Sequence, residues 1–202
     1  MITTIIFDLA EVYLDGLKGL ERRLEHLMDI PLDEIKDGFH IDELHDFFRG
    51  EITEEEYWKT VLEKNNWDIS PEILKEKIRE NFQEIEGTRE IIEKLKDGGY
   101  KLGLLSVHSR EWIDFCEDKY DFHRLFDSTM YSFEISILKP DKKAYELILE
   151  KLDVKPKECI FIDYQQKNLD SAEELGINTI KFENPEQLKR DFEERFKINV
   201  YS

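Results

Sequence analysis

The sequence has few cysteines and no long apolar run, and each of these features argues against a class of protein. Only two cysteines, Cys116 and Cys159, occur in 202 residues, and they lack metal-ligand spacing. They are expected to be buried free thiols in a reducing compartment. The N-terminus leads into a strand pattern without a basic region, and no apolar stretch could span a bilayer. We therefore expect a cytoplasmic protein that is neither secreted nor membrane-spanning.

Positive charge is also scarce. The chain has 29 Lys and Arg against 47 Asp and Glu, which gives a formal net charge of −18. Nucleic acid and anionic membrane surfaces would be repelled, so neither is an expected partner. A small phosphorylated ligand, the partner that we do expect, would have to be held by local positive groups. The sequence leaves the oligomeric state open.

Five short runs of β-branched and apolar residues predict buried strands. These runs are Thr3–Phe7, Leu102–Ser106, Ser128–Tyr131, Cys159–Ile162 and Asn178–Phe182. Helical patterns such as Thr88–Lys96 lie between them. Strands that alternate with helices predict an α/β fold with a doubly wound, mainly parallel, Rossmann-like sheet. In such a sheet, ligands bind beyond the carboxyl ends of the strands.

Residues 14–86 interrupt this alternation with helix signals only. The signals are a leucine stripe, a capping box and a Ser-Pro helix start, located at Leu17, Leu20, Leu24 and Leu27, at Thr53 and Glu56, and at Ser70 and Pro71. A stretch of roughly 70 residues is too long for a loop inside a compact domain. We therefore predict an all-helical cap, residues 14–86, inserted into a core made of residues 1–13 and 87–202.

Four side chains that could take part in chemistry fall at or just beyond the carboxyl ends of predicted strands. They are Asp8, Ser106, Lys139 and Asp163, and Asn168 follows the last of them. A carboxylate nucleophile, a hydroxyl, an ammonium and a second carboxylate could attack phosphorus, bind its oxygens and hold a divalent cation. Each residue alone is weak evidence, because an Asp after a strand more often caps a helix. Their order and spacing along the chain carry the information.

In order and spacing these residues resemble the haloacid dehalogenase superfamily over nearly the whole chain. The resemblance is carried by Phe7-Asp8-Leu9-Ala10-Glu11-Val12, Leu104-Leu105-Ser106, Lys139-Pro140-Asp141 and Phe161-Ile162-Asp163. It implies a hydrolase of small phosphorylated metabolites in which Asp8 becomes an aspartyl-phosphate. Ser106 and Lys139 would bind the oxygens of the transferring group. Mg²⁺ would be held by Asp8, Asp163 and the backbone carbonyl of Ala10.

Two positions depart from the family pattern. Ala10 stands two residues after the nucleophile, where family phosphatases usually carry the Asp that acts as general acid and base. Tyr164 stands where a second metal-binding acid is usual. Losing a general acid costs about 10²–10⁴ in rate, and a neutral phenol is a poor Mg²⁺ ligand. We therefore predict an impaired phosphatase in which Mg²⁺ binding is possible but doubtful.

Other interpretations stay open. The protein could be a non-catalytic ligand-binding or regulatory protein, or a metal-independent dehalogenase of 2-halo acids. Glu11 could compensate for the missing acid, although a solvated carboxylate at a helix start is the simpler interpretation. His108 is a candidate substrate-binding residue, with an exposed or capping histidine as the simpler alternative. Lys139 is expected to form an ion pair with Asp8 rather than to stay free for anions.

Overall fold

The structure of the protein, a computed structural model, describes residues 1–201 and contains one five-stranded sheet. The strands are β1 (Thr4–Phe7), β2 (Lys101–Ser106), β3 (Ser128–Tyr131), β4 (Cys159–Asp163) and β5 (Asn178–Lys181). All four pairings are parallel, in the order β3-β2-β1-β4-β5. Phe7 of the central strand pairs with Leu104 on one side and with Ile162 on the other. The prediction of a parallel α/β sheet is confirmed.

Eleven α-helices accompany this sheet within residues 1–201. They are α1 (Leu20–Leu24), α2 (Leu32–Phe39), α3 (Glu43–Arg49), α4 (Glu54–Asn65), α5 (Pro71–Asn81), α6 (Thr88–Asp97), α7 (Arg110–Tyr120), α8 (Ser132–Ile135), α9 (Lys142–Leu152), α10 (Gln166–Glu174) and α11 (Pro185–Phe196). Among these helices, none is both long enough and apolar enough to cross a membrane.

Both faces of the sheet are covered, because the strands are apolar on both sides. Successive side chains of a strand point to opposite faces. Ile5 and Phe7 therefore pack into one cluster with α6, α7 and α11, while Ile6 packs into a second cluster with α9 and α10. The central strand is buried on both faces, and its carboxyl end carries Asp8.

Helices α1 to α5, residues Leu20–Asn81, lie between β1 and α6 in the chain, and we call them the helical insert. Local chemistry sets two of its helix starts. Thr53 and Glu56 form the expected capping box at α4, and the Ser70 hydroxyl accepts a hydrogen bond from the third residue of α5. The two chain segments that join the insert to the core are hydrogen-bonded to each other, since the Asp15 N–H donates to the Gln83 carbonyl at 2.8 Å.

The predicted leucine stripe is wrong in extent. Helix α1 covers only Leu20–Leu24, and both of these leucines are buried. Gly19 precedes the helix with a φ of 92°, so Leu17 lies before a left-handed turn rather than on the helix. Leu27, beyond the helix, is 52% exposed. A regular spacing of leucines therefore overestimates a helix that begins only after the left-handed turn at Gly19 and ends at Leu24.

Cys116 and Cys159 are both free and buried, as the sequence predicts. Burial raises the pKa of each thiol to about 12. A thiol with such a pKa stays protonated near neutral pH and is a poor nucleophile. Both cysteines therefore serve as small apolar groups in the interior.

Candidate active site

The structure brings together the four side chains that the sequence singles out. Asp8 follows β1, Ser106 ends β2 and Asp163 ends β4, and these three strands are neighbours in the sheet. Lys139 reaches the same edge from the segment between α8 and α9. All four residues are buried, with Lys139 the most exposed at 7%. They lie at the carboxyl ends of the strands, where parallel sheets bind ligands.

The Lys139 ammonium lies between two carboxylates. Its Nζ is 2.9 Å from Asp8 Oδ1 and 2.8 Å from Asp163 Oδ2. The expected ion pair with Asp8 is thus present, together with a second pair to Asp163. Burial alone would lower the pKa of Lys139, but the two carboxylates outweigh burial and raise it. With both acids ionised, the cluster carries one negative charge that Lys139 does not balance.

Asp163 uses both of its oxygens for contacts within the protein. Oδ1 accepts a hydrogen bond from the Gln165 N–H at 2.8 Å. Oδ2 accepts from Asn168 Nδ2 at 2.9 Å in addition to Lys139. The Tyr145 hydroxyl donates to the Asn168 carbonyl at 2.9 Å and so ties α9 to α10. Asp163 and Asn168 thus form a fixed polar base for Lys139.

Asp8 keeps one oxygen free for chemistry. Oδ1 accepts from the Leu9 N–H at 2.7 Å and from Lys139, whereas no donor within residues 1–201 reaches Oδ2. Burial raises the pKa of Asp8, Lys139 lowers it and Asp163 raises it again, which leaves it at about 7. Ionised Asp8 can act as a nucleophile through Oδ2, and the fraction ionised rises as the pH passes through neutrality.

Two further polar atoms at the site are buried without a partner in the described part of the chain. They are the Ser106 hydroxyl and Asn168 Oδ1. A buried polar group without a hydrogen bond costs about 1–3 kcal/mol. Both atoms fit a site that completes its hydrogen bonds with a ligand or with ordered water.

His108 is buried, so the expectation of an exposed histidine is wrong. Only 4% of the residue is exposed, and its ring packs against Phe48, Phe82 and Trp112. Burial lowers the pKa of His108 to about 4, so the ring is neutral near pH 7. The Ser109 N–H donates to Nδ1 at 3.2 Å, which assigns the ring proton to Nε2. His108 therefore offers a neutral N–H donor close to Ser106 in the chain.

The residues that follow Asp8 and Asp163 lie as the sequence predicts, except for Glu11. Ala10 offers no side-chain proton. Glu11 is not at a helix start, because it has a φ of 59° in a turn and its carboxylate accepts from the Gly16 N–H at 3.1 Å. Tyr164 is 37% exposed, and burial of its phenol together with the charge of Asp8 raises its pKa. The phenol therefore stays neutral.

The oxygen atoms of this site do not fit as ligands of a Mg²⁺ ion, which prefers an octahedron of oxygens that includes one or two carboxylates. Both oxygens of Asp163 and one oxygen of Asp8 already accept hydrogen bonds, and an ammonium lies between the two acids. Tyr164 supplies a neutral phenol in place of a third carboxylate. Among residues 1–201, no group of three His, Cys, Asp or Glu side chains is placed to hold a metal.

Ser132 belongs to the surroundings of the site, although no sequence pattern points to it. Its hydroxyl accepts from the His108 N–H at 3.0 Å and donates to the Phe48 carbonyl at 2.6 Å. It thereby links the site to the helical insert. A serine at the start of a short helix has no sequence signal that distinguishes this link from an ordinary helix start.

Comparison with known proteins gives consistent matches. The haloacid dehalogenase-like hydrolase family matches residues 5–182. Flavin mononucleotide hydrolase 1, chloroplatic, of Arabidopsis thaliana is 27% identical over 172 residues, which cover 85% of this chain and 69% of that protein. (S)-2-haloacid dehalogenase 4A of Burkholderia cepacia is 28% identical over 111 residues, which cover 54% of this chain and 48% of the dehalogenase. This chain thus matches about half of the length of that relative.

Solved structures show the same fold. A HAD family enzyme from Bacteroides thetaiotaomicron, in complex with magnesium and inorganic phosphate, superimposes with a TM-score of 0.76 at 21% identity. The match covers 91% of this chain and 96% of that enzyme. L-2-haloacid dehalogenase from Xanthobacter autotrophicus superimposes with a TM-score of 0.69 at 15% identity. At these identities the likeness concerns the fold alone.

Proposed function

This chain belongs to the haloacid dehalogenase-like hydrolase family, and from that premise we propose that it derives from a small-metabolite phosphatase and hydrolyses phosphate esters slowly. One observation carries the proposal. The nucleophile Asp8 keeps a free Oδ2, but Lys139 lies between it and Asp163, and no acid stands at position 10. The group that would attack phosphorus is present, whereas the groups that would assist the leaving group and a metal are not.

The balance of the reaction shows where the rate is lost. Asp8 Oδ2 forms a bond to phosphorus while the bond from phosphorus to the ester oxygen breaks, and the leaving alkoxide needs a proton. Ala10 cannot supply that proton, so it has to come from water. Hydrolysis of the aspartyl-phosphate then needs a base, which Ala10 also lacks. The missing acid and base cost about 10²–10⁴ in rate, or roughly 3–5 kcal/mol of barrier.

Local charge adds to this loss. The cluster of Asp8, Asp163 and Lys139 has one more negative than positive charge when both acids are ionised. A phosphate monoester dianion is repelled by the surplus, and the chain as a whole has a net charge of −18. We propose that Ser106, Lys139 and His108 bind the ligand, with residues 14–86 as a cap on the core of residues 1–13 and 87–202.

A phosphatase assay with restored residues tests the proposal. Wild type, Ala10→Asp, Tyr164→Asp and the double variant are compared on an aryl phosphate, with Mg²⁺ and with EDTA, and Asp8→Asn serves as the inactive control. We expect the double variant to exceed wild type by at least ~10²-fold, in Mg²⁺ only. Equal rates of wild type and double variant would contradict the proposal and indicate a compensating group such as Glu11.

The same proteins distinguish the two alternatives. Chloride release from 2-chloropropionate without metal, lost in Asp8→Asn, would support a metal-independent dehalogenase. Phosphate binding without turnover of either substrate, even in the double variant, would support a non-catalytic ligand-binding protein. The similar proteins include both a hydrolase of a phosphorylated flavin and a 2-haloacid dehalogenase, so both substrate classes belong in the assay.

A further inference from the structure

Glu54, the first residue of α4, is a buried carboxylate that receives four hydrogen bonds. Arg79 donates to both oxygens, at 2.8 and 2.7 Å. Trp58 Nε1 and Trp112 Nε1 donate to Oε1, at 3.1 and 2.8 Å. Burial alone would raise the pKa of Glu54, but Arg79 and the two indoles lower it, so the group stays ionised. Such charge-assisted hydrogen bonds are about twice as strong as neutral ones.

The contacts of Glu54 connect the helical insert to helix α7 of the core. Glu54, Trp58 and Arg79 belong to the insert, whereas Trp112 belongs to α7. The contact is reciprocal, because the Glu54 N–H donates to Glu111 Oε1 of α7 at 3.1 Å. Glu54 therefore fixes the start of α4 to the start of α7.

Trp112, the partner of Glu54 in α7, also contacts His108 of the candidate active site. The Trp112 ring lies against the His108 ring, with 5.6 Å between their centroids. Ser132 makes a second connection, since its hydroxyl binds both the Phe48 carbonyl of the insert and the His108 N–H. The ring and the backbone of His108 are thus both tied to the insert.

The site is closed in this arrangement. Asp8 is 4% exposed, Ser106 1% and His108 4%. Next to the connection between Glu54 and Trp112, a cleft of about 590 Å³ lies between α5 and α7, and Arg79 and Phe115 are among its lining residues. Within this cleft the Arg79 guanidinium lies over the Phe115 ring, 5.6 Å from its centroid, so the partner of Glu54 also forms the contact across the cleft.

We propose that Glu54 is a latch: it holds the helical insert closed over His108, and ligands reach this side of the site only when Trp112 releases Glu54. This proposal rests on the contacts alone and does not depend on the proposed function. Glu54 is a positioning residue, because it acts through Trp112 and touches no reacting atom.

Chemical modification of His108 measures opening directly. Diethyl pyrocarbonate acylates neutral imidazoles that solvent can reach, and peptide mass spectrometry assigns each site. Glu54→Gln weakens the charged contacts while keeping the shape, and Trp112→Phe removes the donor from α7. We expect His108 to react at least ~10-fold faster in both variants. The exposed His26, His40 and His45 are internal references whose rates should not change.

Matched controls separate a latch from general damage. Glu55→Gln makes the same change at the next residue of α4, which is exposed, and should react like wild type. Trp67 Nε1 is buried in the insert without a partner within residues 1–201, so its indole signal in NMR spectra should stay in place if the insert remains folded. Because Glu54 and Trp112 share one contact, the double variant should open no more than either single variant.

Three results would overturn the latch. The first is a His108 rate in Glu54→Gln equal to that in Glu55→Gln. The second is an additive acceleration in the double variant, which would mean that the two residues act separately. The third is a displaced Trp67 signal in Glu54→Gln, which would mean that the insert unfolds rather than opens.

Discussion

Replacing Asp8 by Asn should stabilise the protein, and the gain should grow with pH. Asp8 lies in a buried cluster with Asp163 and only one positive partner, Lys139. The Asn amide oxygen can still accept the hydrogen bond from the Leu9 N–H. The substitution therefore removes the surplus negative charge without removing the contact that orients the side chain.

The magnitude follows from the pKa of Asp8, which rises from an ordinary value of 3.8 to about 7 in the folded protein. Because the folded pKa is the higher one, the folded state holds a proton that the unfolded state has lost between these values. The free energy of unfolding of wild type therefore falls as the pH rises toward 7. Each pH unit in this window costs about 1.4 kcal/mol. Between about pH 5 and about pH 8, Asp8→Asn should gain roughly 3 kcal/mol relative to wild type.

Urea unfolding at several pH values measures this difference. Other titrating groups contribute equally to both proteins and cancel when the two free energies are subtracted at each pH. Asp97→Asn makes the same substitution at the exposed end of α6, outside the Asp8 cluster, and is the matched control. The slope of the free energy of unfolding against urea concentration should be unchanged, since neither substitution alters the surface exposed on unfolding.

A constant difference between Asp8→Asn and wild type would refute this reasoning. It would mean that Asp8 has an ordinary pKa in the folded protein and that Lys139 balances both carboxylates. If the stability gain of Asp8→Asn over wild type shrank with rising pH, the pKa of Asp8 would be lowered rather than raised on folding. The ion pair with Lys139 would then stabilise ionised Asp8.

Two further predictions concern the partners of Asp8. Lys139→Met should lower the free energy of unfolding by about 3–5 kcal/mol at about pH 8, and by less at about pH 5, where Asp8 takes up a proton. Exposed Lys142→Met, which loses only a surface ion pair, should change it by less than about 1 kcal/mol, and equal losses in urea unfolding would contradict us. Ser106→Ala should not lower the free energy of unfolding by more than about 1 kcal/mol, because the buried hydroxyl has no hydrogen-bond partner to lose. It should nevertheless weaken vanadate binding at least ~5-fold by calorimetry, and unchanged affinity would remove Ser106 from the site.

The sheet can be predicted from the sequence because its signal is strong and local. Short apolar runs rich in β-branched residues are typical of strands that are buried on both faces, and two parallel strands are usually joined by a helix. The predicted start of β1 differs from the observed one by a single residue, Thr3 against Thr4. The polar residues that end such strands meet at one edge by geometry, so the strand pattern alone is enough to group Asp8, Ser106 and Asp163.

The contacts across the helical insert cannot be predicted in this way, because they depend on the relative placement of separate elements. Glu54 has the sequence appearance of an ordinary acidic residue in the first turn of a helix, where acids are favourable. The sequence favours solvent-exposed positions for His108 and Glu11 for a similar reason, since polar side chains are mostly exposed. Burial of Glu54 and His108 follows from packing of the insert, and half-burial of Glu11 follows from its positive φ, neither of which leaves a periodic pattern.

Because Asp8 titrates inside a charged cluster, the pH dependence of kcat should depend on the charge of the substrate. In the proposed reaction only ionised Asp8 attacks, so kcat/KM, which reports the free protein, should rise through about pH 7 with any substrate. The value of kcat reports the bound complex instead, where a negative substrate opposes ionisation of Asp8. Two unit charges 4 Å apart at an effective dielectric constant near 20 interact by about 4 kcal/mol, or roughly three pKa units. An aryl phosphate dianion should therefore shift the rise in kcat to higher pH than its methyl diester, which has the same leaving group and one charge fewer. Coincident kcat profiles for the two substrates would mean that the bound phosphoryl group does not lie beside Asp8.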